Sequence, residues 1–108
     1  VAAALLGFGP VTAVDVEEPS IAATRANAAV NHVSLDVRLV SPDTRFPRAD
    51  VVVANISLES VEALPPRIEC ATLVTSGYLA SEAPTLPGFE HVARRTLDGW
   101  ACDVSRAT

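Results

Sequence analysis

Residues 11–16, VTAVDV, are apolar and β-branched as far as Asp15, and the preceding GFGP holds the glycines and proline of a turn, so the pattern predicts a strand. Glu17 and Glu18 then lead into Pro19, a residue favoured at the start of a helix, where acidic groups suit the positive end of the dipole. Ala22, Ala26, Ala29, Val30 and Val33 recur at helical spacing, which predicts an amphipathic helix to about Asn31 with an alanine-rich buried face. SLDVRLV alternates about Leu35, Val37 and Leu39, with Asp36 and Arg38 opposite, and predicts a second strand at a sheet edge.

Beyond the loop at residues 42–47, residues 50–55 form an unbroken apolar run after Asp50 that ends at Asn55, a pattern suited to a parallel strand covered on both faces. Leu58, Val61 and Leu64 form the stripe of a short helix that Pro65 and Pro66 terminate. CATLVTSG predicts a buried strand stopping at Gly77, and YLASEAPTLPG leaves room for a turn or two of helix. FEHVARRTL and GWACDVSRA alternate about Asp98-Gly99, a two-residue sequence suited to a tight hairpin. Strands alternating with helices predict an α/β, Rossmann-like, doubly wound and mostly parallel sheet, here ending in an antiparallel hairpin. Ligands of such sheets bind at the carboxyl ends of the strands, where Asp15 and Asn55 fall.

With 108 residues, 49% of them hydrophobic, the chain can bury one core, so it is expected to be one domain or part of one. Thirteen acidic against eight basic side chains give a net charge of −5, and the arginines form no stripe, which disfavours direct nucleic-acid binding. No apolar run approaches a membrane span and the opening VAAALLGFG lacks the basic start of a signal peptide, so a cytoplasmic protein is expected. Cys70 and Cys102 form no CxxC pair and read as buried small hydrophobes, while His32 and His91 read as solvated or capping residues. There is no repeat or low-complexity segment.

An acid at the end of the second strand of a dinucleotide-type fold binds ribose hydroxyls, about 20 residues beyond a glycine-rich turn. Asp15 fits that role, and equally fits a turn or helix-capping acid. Counting back runs off the front of the chain, which opens inside an uncapped apolar helix and holds no methionine. A first strand and glycine-rich loop are therefore expected before Val1, absent here.

TAVDVEEPSIAATRANAAVNHV, ADVVVANISLESV and LVTSGYLASEA together resemble three stretches of the class I S-adenosylmethionine-dependent methyltransferases. They are most similar to the PrmA type, which methylates a large-subunit ribosomal protein. The three correspond to the family's acidic second strand with its asparagine-bearing helix, its fourth strand ending Asn-Ile, and its fifth strand with the turn after it. The resemblance implies a transferase of methyl groups to protein amino nitrogens, with S-adenosyl-L-methionine as cofactor and a ribosomal protein as partner. It implies catalytic roles for Asn55 and Ile56, whose amide and backbone carbonyl would orient a neutral amine, and cofactor binding by Asp15, Val16, Pro42, Asp43 and Asn55. Asp15 would hold the ribose, and the loop of Ser41, Pro42 and Asp43 would lie near the adenine.

Each residue also has a plainer role: Asn55 as a cap of the helix starting near Ser57, Asp43 as a solvated turn, Trp100 as packing of the hairpin. Thr75, Ser76 and Gly77, at another strand end, shape the pocket. The chain departs from the family in lacking the glycine-rich motif and the amino-terminal domain, in a shortened helix before the hairpin, and in PPRIECA replacing a Pro-Gly-Gly turn. Two other functions fit the residues: a nicotinamide-dependent oxidoreductase, whose NAD ribose Asp15 would serve as well, and a non-catalytic interaction module.

Overall fold

A computed structural model describes residues 1–108, which divide into two compact units, Val1–Thr44 and Arg45–Thr108. The first contains a single helical turn, α1 (Ala2–Leu5), then β1 (Thr12–Asp15), α2 (Glu18–Val30) and β2 (Asp36–Leu39). β1 and β2 pair in parallel, with Asp15 opposite Leu39, and α2 packs on both. Pro19 lies in the first turn of α2, where its missing N–H costs nothing. At the other end His32 takes a left-handed φ of 54°. Its N–H reaches the Ala29 carbonyl at 3.2 Å and that of Val33 reaches Ala28 at 3.1 Å, the paired bonds of a Schellman cap, with histidine where glycine is usual.

The face that α2 buries differs from the expected one. Ile21 and Ala28 are buried and Thr24 half-buried, while Ala22, Ala26, Ala29 and Val30 are exposed. The short, β-branched strand pair presents little apolar area, and the largest apolar side chain on the helix, Ile21, takes it.

The second unit holds β3 (Ala49–Asn55), α3 (Leu58–Glu62), a 3₁₀ turn (Pro65–Arg67), β4 (Cys70–Leu79), β5 (Phe89–Leu97) and β6 (Trp100–Ala107). Its sheet runs β3-β4-β6-β5, parallel between β3 and β4 and antiparallel in the other two pairings, so the last strand is inserted between β4 and β5. Asp98 and Gly99 both have positive φ, 51° and 84°, which makes the β5–β6 connection the two-residue hairpin that its sequence predicts. One core cluster gathers Ala54, Leu64, Ile68, Cys70 and Leu73, and another Val61, Tyr78 and Ala101, with Leu58 and Leu86 against it.

Three expectations are corrected here. β3 is covered on one face only: Ala54 is buried and Val52 half-buried, whereas Val51 and Val53 are exposed, because the core of this unit gathers on the Val52 and Ala54 face and no core cluster forms on the other. β4 does not stop at Gly77 but continues to Leu79 through a bulge between Ser76 and Tyr78. Residues 80–88 contain no helix. Arg94 donates to the carbonyls of Ala80 and Glu82, and Glu62 accepts the N–H of Thr85, so side chains satisfy backbone groups that a helix would have paired internally. No helix is long and apolar enough to cross a membrane.

Candidate functional site

The carboxyl end of β3 carries Asn55, opposite Ser76 in the β4 register, and the ladder runs one residue further through a 3.0 Å bond from the Ile56 N–H to the Ser76 carbonyl. α3 begins two residues later, and its cap is Ser57, whose hydroxyl oxygen accepts the Ser60 N–H at 3.3 Å. The capping role is therefore filled without Asn55. The Asn55 side chain is exposed with no partner in the chain, and no backbone N–H donates to the Ile56 carbonyl. Two neutral acceptors thus stand at one strand end, unspent by the fold.

Asn55 and Ile56 line a broad depression of about 830 Å³. Ser76 and Gly77 lie on the same side as Asn55 and Ile56, and Arg95, Leu97, Trp100 and Cys102 of the hairpin line the other. Trp100 is 54% exposed, so it forms a wall of this depression instead of packing the hairpin. Cys102 is only partly buried for the same reason, whereas Cys70 belongs to the core, where burial pushes its thiol pKa up.

In the Val1–Thr44 unit, Asp15 ends β1 and one of its carboxylate oxygens accepts the Glu17 N–H at 3.0 Å. The second oxygen has no partner in the chain, so the local turn uses half of the carboxylate. Val16 beside it is half exposed. The loop with Pro42 and Asp43 leaves at the same sheet end, since Asp15 pairs with Leu39 and its carbonyl accepts the Val40 N–H at 2.9 Å. Both loop residues are exposed, and the loop closes on itself through Thr44, whose hydroxyl oxygen accepts the Ser41 N–H. Asp15, Val16, Pro42 and Asp43 accordingly share one end of one sheet, and Asn55 and Ile56 share one end of the other.

A buried polar cluster escaped the sequence reading. Asp103 is 1% exposed, and its carboxylate accepts from the Tyr78 hydroxyl at 2.6 Å, from Arg94 at 2.9 and 3.0 Å, and pairs with His91 Nε2 at 2.8 Å. The Tyr78 hydroxyl also meets Thr75 Oγ1 at 2.8 Å. Burial opposes ionisation of Asp103, but the bonds from Arg94, Tyr78 and His91 outweigh it and hold its pKa down to about 2. Tyr78 is pushed up to about 12, by burial first and then by the Asp103 carboxylate. His91, expected to be solvated or a cap, is half exposed and tied to this cluster. The signal was present in Gly77: an isolated glycine within a strand pattern marks a bulge, and the bulge puts Thr75 and Tyr78 on one face three residues apart instead of two.

The PrmA family, described as ribosomal protein L11 methyltransferase, matches residues 1–108. Ribosomal protein L11 methyltransferases of Legionella pneumophila (strain Lens) and Hydrogenovibrio crunogenus are 34% and 32% identical to this chain over 111 residues, each covering 93% of it. The chain spans 38% and 37% of their respective lengths. Among solved structures, an rRNA methylase from Escherichia coli superposes with a TM-score of 0.75 at 13% identity, covering 99% of this chain and 52% of its own. TehB from Haemophilus influenzae gives 0.66 at 14% identity, covering 97% and 52%. These two share the fold, a Rossmann-like α/β sheet. The match runs along the whole chain and places it in one family: the chain belongs to the PrmA family of ribosomal protein L11 methyltransferases.

Proposed function

We propose that residues 1–108 lie within one methyltransferase domain and supply the acceptor-orienting and ribose-binding residues of an S-adenosylmethionine-dependent N-methyltransferase acting on a ribosomal protein. The observation that carries this reading is the pair of unspent neutral acceptors at the end of β3, the Asn55 amide and the Ile56 carbonyl, on residues that line a depression. The free oxygen of Asp15 suits a ribose hydroxyl, with Val16, Pro42 and Asp43 at the same sheet end. Held there, S-adenosylmethionine would supply an electrophilic methyl carbon whose leaving sulfur would keep the bonding electrons.

The chain's own contribution is orientation. A reactive amine is uncharged, and its N–H groups donate to the Asn55 amide oxygen and the Ile56 carbonyl, leaving the lone pair directed at the methyl carbon. A carboxylate here would favour the unreactive ammonium form; an amide does not. The proton lost from nitrogen passes to water. The net charge of −5 without a basic stripe favours a protein acceptor over RNA, and the two free cysteines agree with a reducing, cytoplasmic setting.

The test is Asn55→Ala in the intact protein with ribosomal protein as acceptor. Turnover should fall at least about tenfold while affinity for S-adenosylhomocysteine stays within about threefold, the pattern of a residue acting mainly in the transition state. Full turnover removes the orienting role, and tighter binding of NAD than of S-adenosylhomocysteine removes the methyltransferase reading altogether.

A further inference from the structure

Gly77 occupies the extra position of the β4 bulge, with φ of 102°, a region that L-residues rarely adopt. Its backbone also lies hard against Ile56. A Cβ added at Gly77 would collide with the Ile56 carbonyl oxygen and come within 2.9 Å of both the carbonyl carbon and the amide nitrogen of that residue. No other glycine in the chain has a neighbour within 4 Å of such a Cβ, so the turn glycines answer to backbone angle alone and Gly77 answers to a contact. The Ile56 N–H is meanwhile fixed to the Ser76 carbonyl at 3.0 Å.

The bulge is itself held from behind. The Tyr78 hydroxyl reaches back across it to Thr75 Oγ1 at 2.8 Å and across the sheet to Asp103 at 2.6 Å, and Thr75 stands opposite Asp103 in the β4–β6 register. Thr75, Tyr78 and Asp103 are all fully buried, and no buried side-chain polar atom lacks a partner. A rigid buried cluster therefore fixes Tyr78, Tyr78 fixes the bulge, and the bulge leaves one position open to the Ile56 peptide.

We propose that Gly77 is a positioning residue of the methyl-transfer site: the bulge, stapled by the Tyr78 hydroxyl, sets the direction of the Ile56 carbonyl that receives the acceptor amine. The inference rests on the acceptor-orienting reading of Asn55 and Ile56. It assigns Gly77 no contact with substrate. Any side chain at position 77 turns the Ile56 carbonyl aside, and loss of the staple loosens it without altering the surface the acceptor meets.

Two variants of the intact protein test this, Gly77→Ala and Tyr78→Phe, with Asn55→Ala beside them. Ile56-Ser57 is the only Ile-Ser step among residues 1–108, and carbonyl-labelled isoleucine with nitrogen-labelled serine, the peak assigned by its loss in Ile56→Val, reports the Ile56 carbonyl resonance by NMR. Gly77→Ala should displace that resonance and lower kcat at least about tenfold, with KM for S-adenosylmethionine within about threefold. Tyr78→Phe, which keeps the ring packing and the glycine, should broaden or displace the same resonance and lower kcat about three- to tenfold with KM unchanged. If Gly77→Ala does not fold, Tyr78→Phe decides. An unmoved resonance with full kcat in Tyr78→Phe, or in a folded Gly77→Ala, overturns the positioning role while Asn55→Ala still tests the site. Full activity in Asn55→Ala overturns the underlying reading whatever the other two do.

Discussion

Asp103→Asn removes the charge at the centre of the buried cluster while keeping its shape. In the folded chain the Asp103 carboxyl sits at about 2 in place of its ordinary 3.8, a depression that corresponds to about 2 kcal/mol of stability. The sign follows from the depression. The increment is fully present above about pH 4, where the unfolded carboxyl is also ionised, and is lost as pH falls from about 4 through about 2. Tyr78, raised to about 12, remains a protonated donor throughout that window. Urea unfolding of both proteins, stepped downward from pH 6, should show the parent losing stability more steeply than Asp103→Asn below about pH 4. At neutral pH the variant should be about 2–3 kcal/mol less stable, because its amide turns an N–H toward groups that already donate. Arg94 is 25% exposed on its side chain and stays partly hydrated when its partner is neutralised, which keeps the loss below the 3–5 kcal/mol typical of breaking a fully buried pair. Parallel stability curves for the two proteins between pH 6 and the acid limit would refute an ionised, stabilising Asp103.

Asp15→Ala should weaken binding of S-adenosylhomocysteine by about 1–3 kcal/mol by titration calorimetry, the scale of a lost charged hydrogen bond; equal affinity would return Asp15 to the turn that its other oxygen already serves. Gly99→Ala should cost about 1 kcal/mol in urea unfolding through its φ of 84° alone, since an added Cβ meets nothing within 4 Å.

Much of the chain was legible because periodicity and turn chemistry agree. Leu58, Val61 and Leu64 lie inward as their spacing predicts, and Asp98-Gly99 makes the expected turn. The misread parts share a physical cause, in that a neighbour decided what local pattern could not. Val51 and Val53 look like a two-faced core strand, yet which face is covered depends on what packs over β3. On α2 the alanine stripe and the Ile21 stripe are both helical, and only the area offered by β1 and β2 chooses between them. Asp103 alternates with Cys102 and Val104, a pattern that gives no sign of a buried carboxylate, which becomes tolerable only once Tyr78, His91 and Arg94 converge from two other strands. The ends of β1 and β3 were readable as candidate sites because an acid and an amide are unusual at the close of apolar strands. The unspent state of the Asn55 amide was not, since it depends on Ser57 capping α3 in its place.

The place of β6 between β4 and β5 has a mechanical consequence. The segment at 80–88 joins the two outer neighbours of β6; backbone bonds tie its ends and Leu86 packs on the core, but between them it is held by the Arg94 guanidinium on two of its carbonyls and the Glu62 carboxylate on one of its amides. Tethers of that kind weaken with salt and open as a local unit ahead of the sheet, so limited proteolysis should nick the chain there first. Severing it breaks no rung of the ladder. β6 still bonds to β4 on one side and β5 on the other, so the terminal hairpin should stay docked after the cut, and two separately made pieces divided at this segment should reassociate.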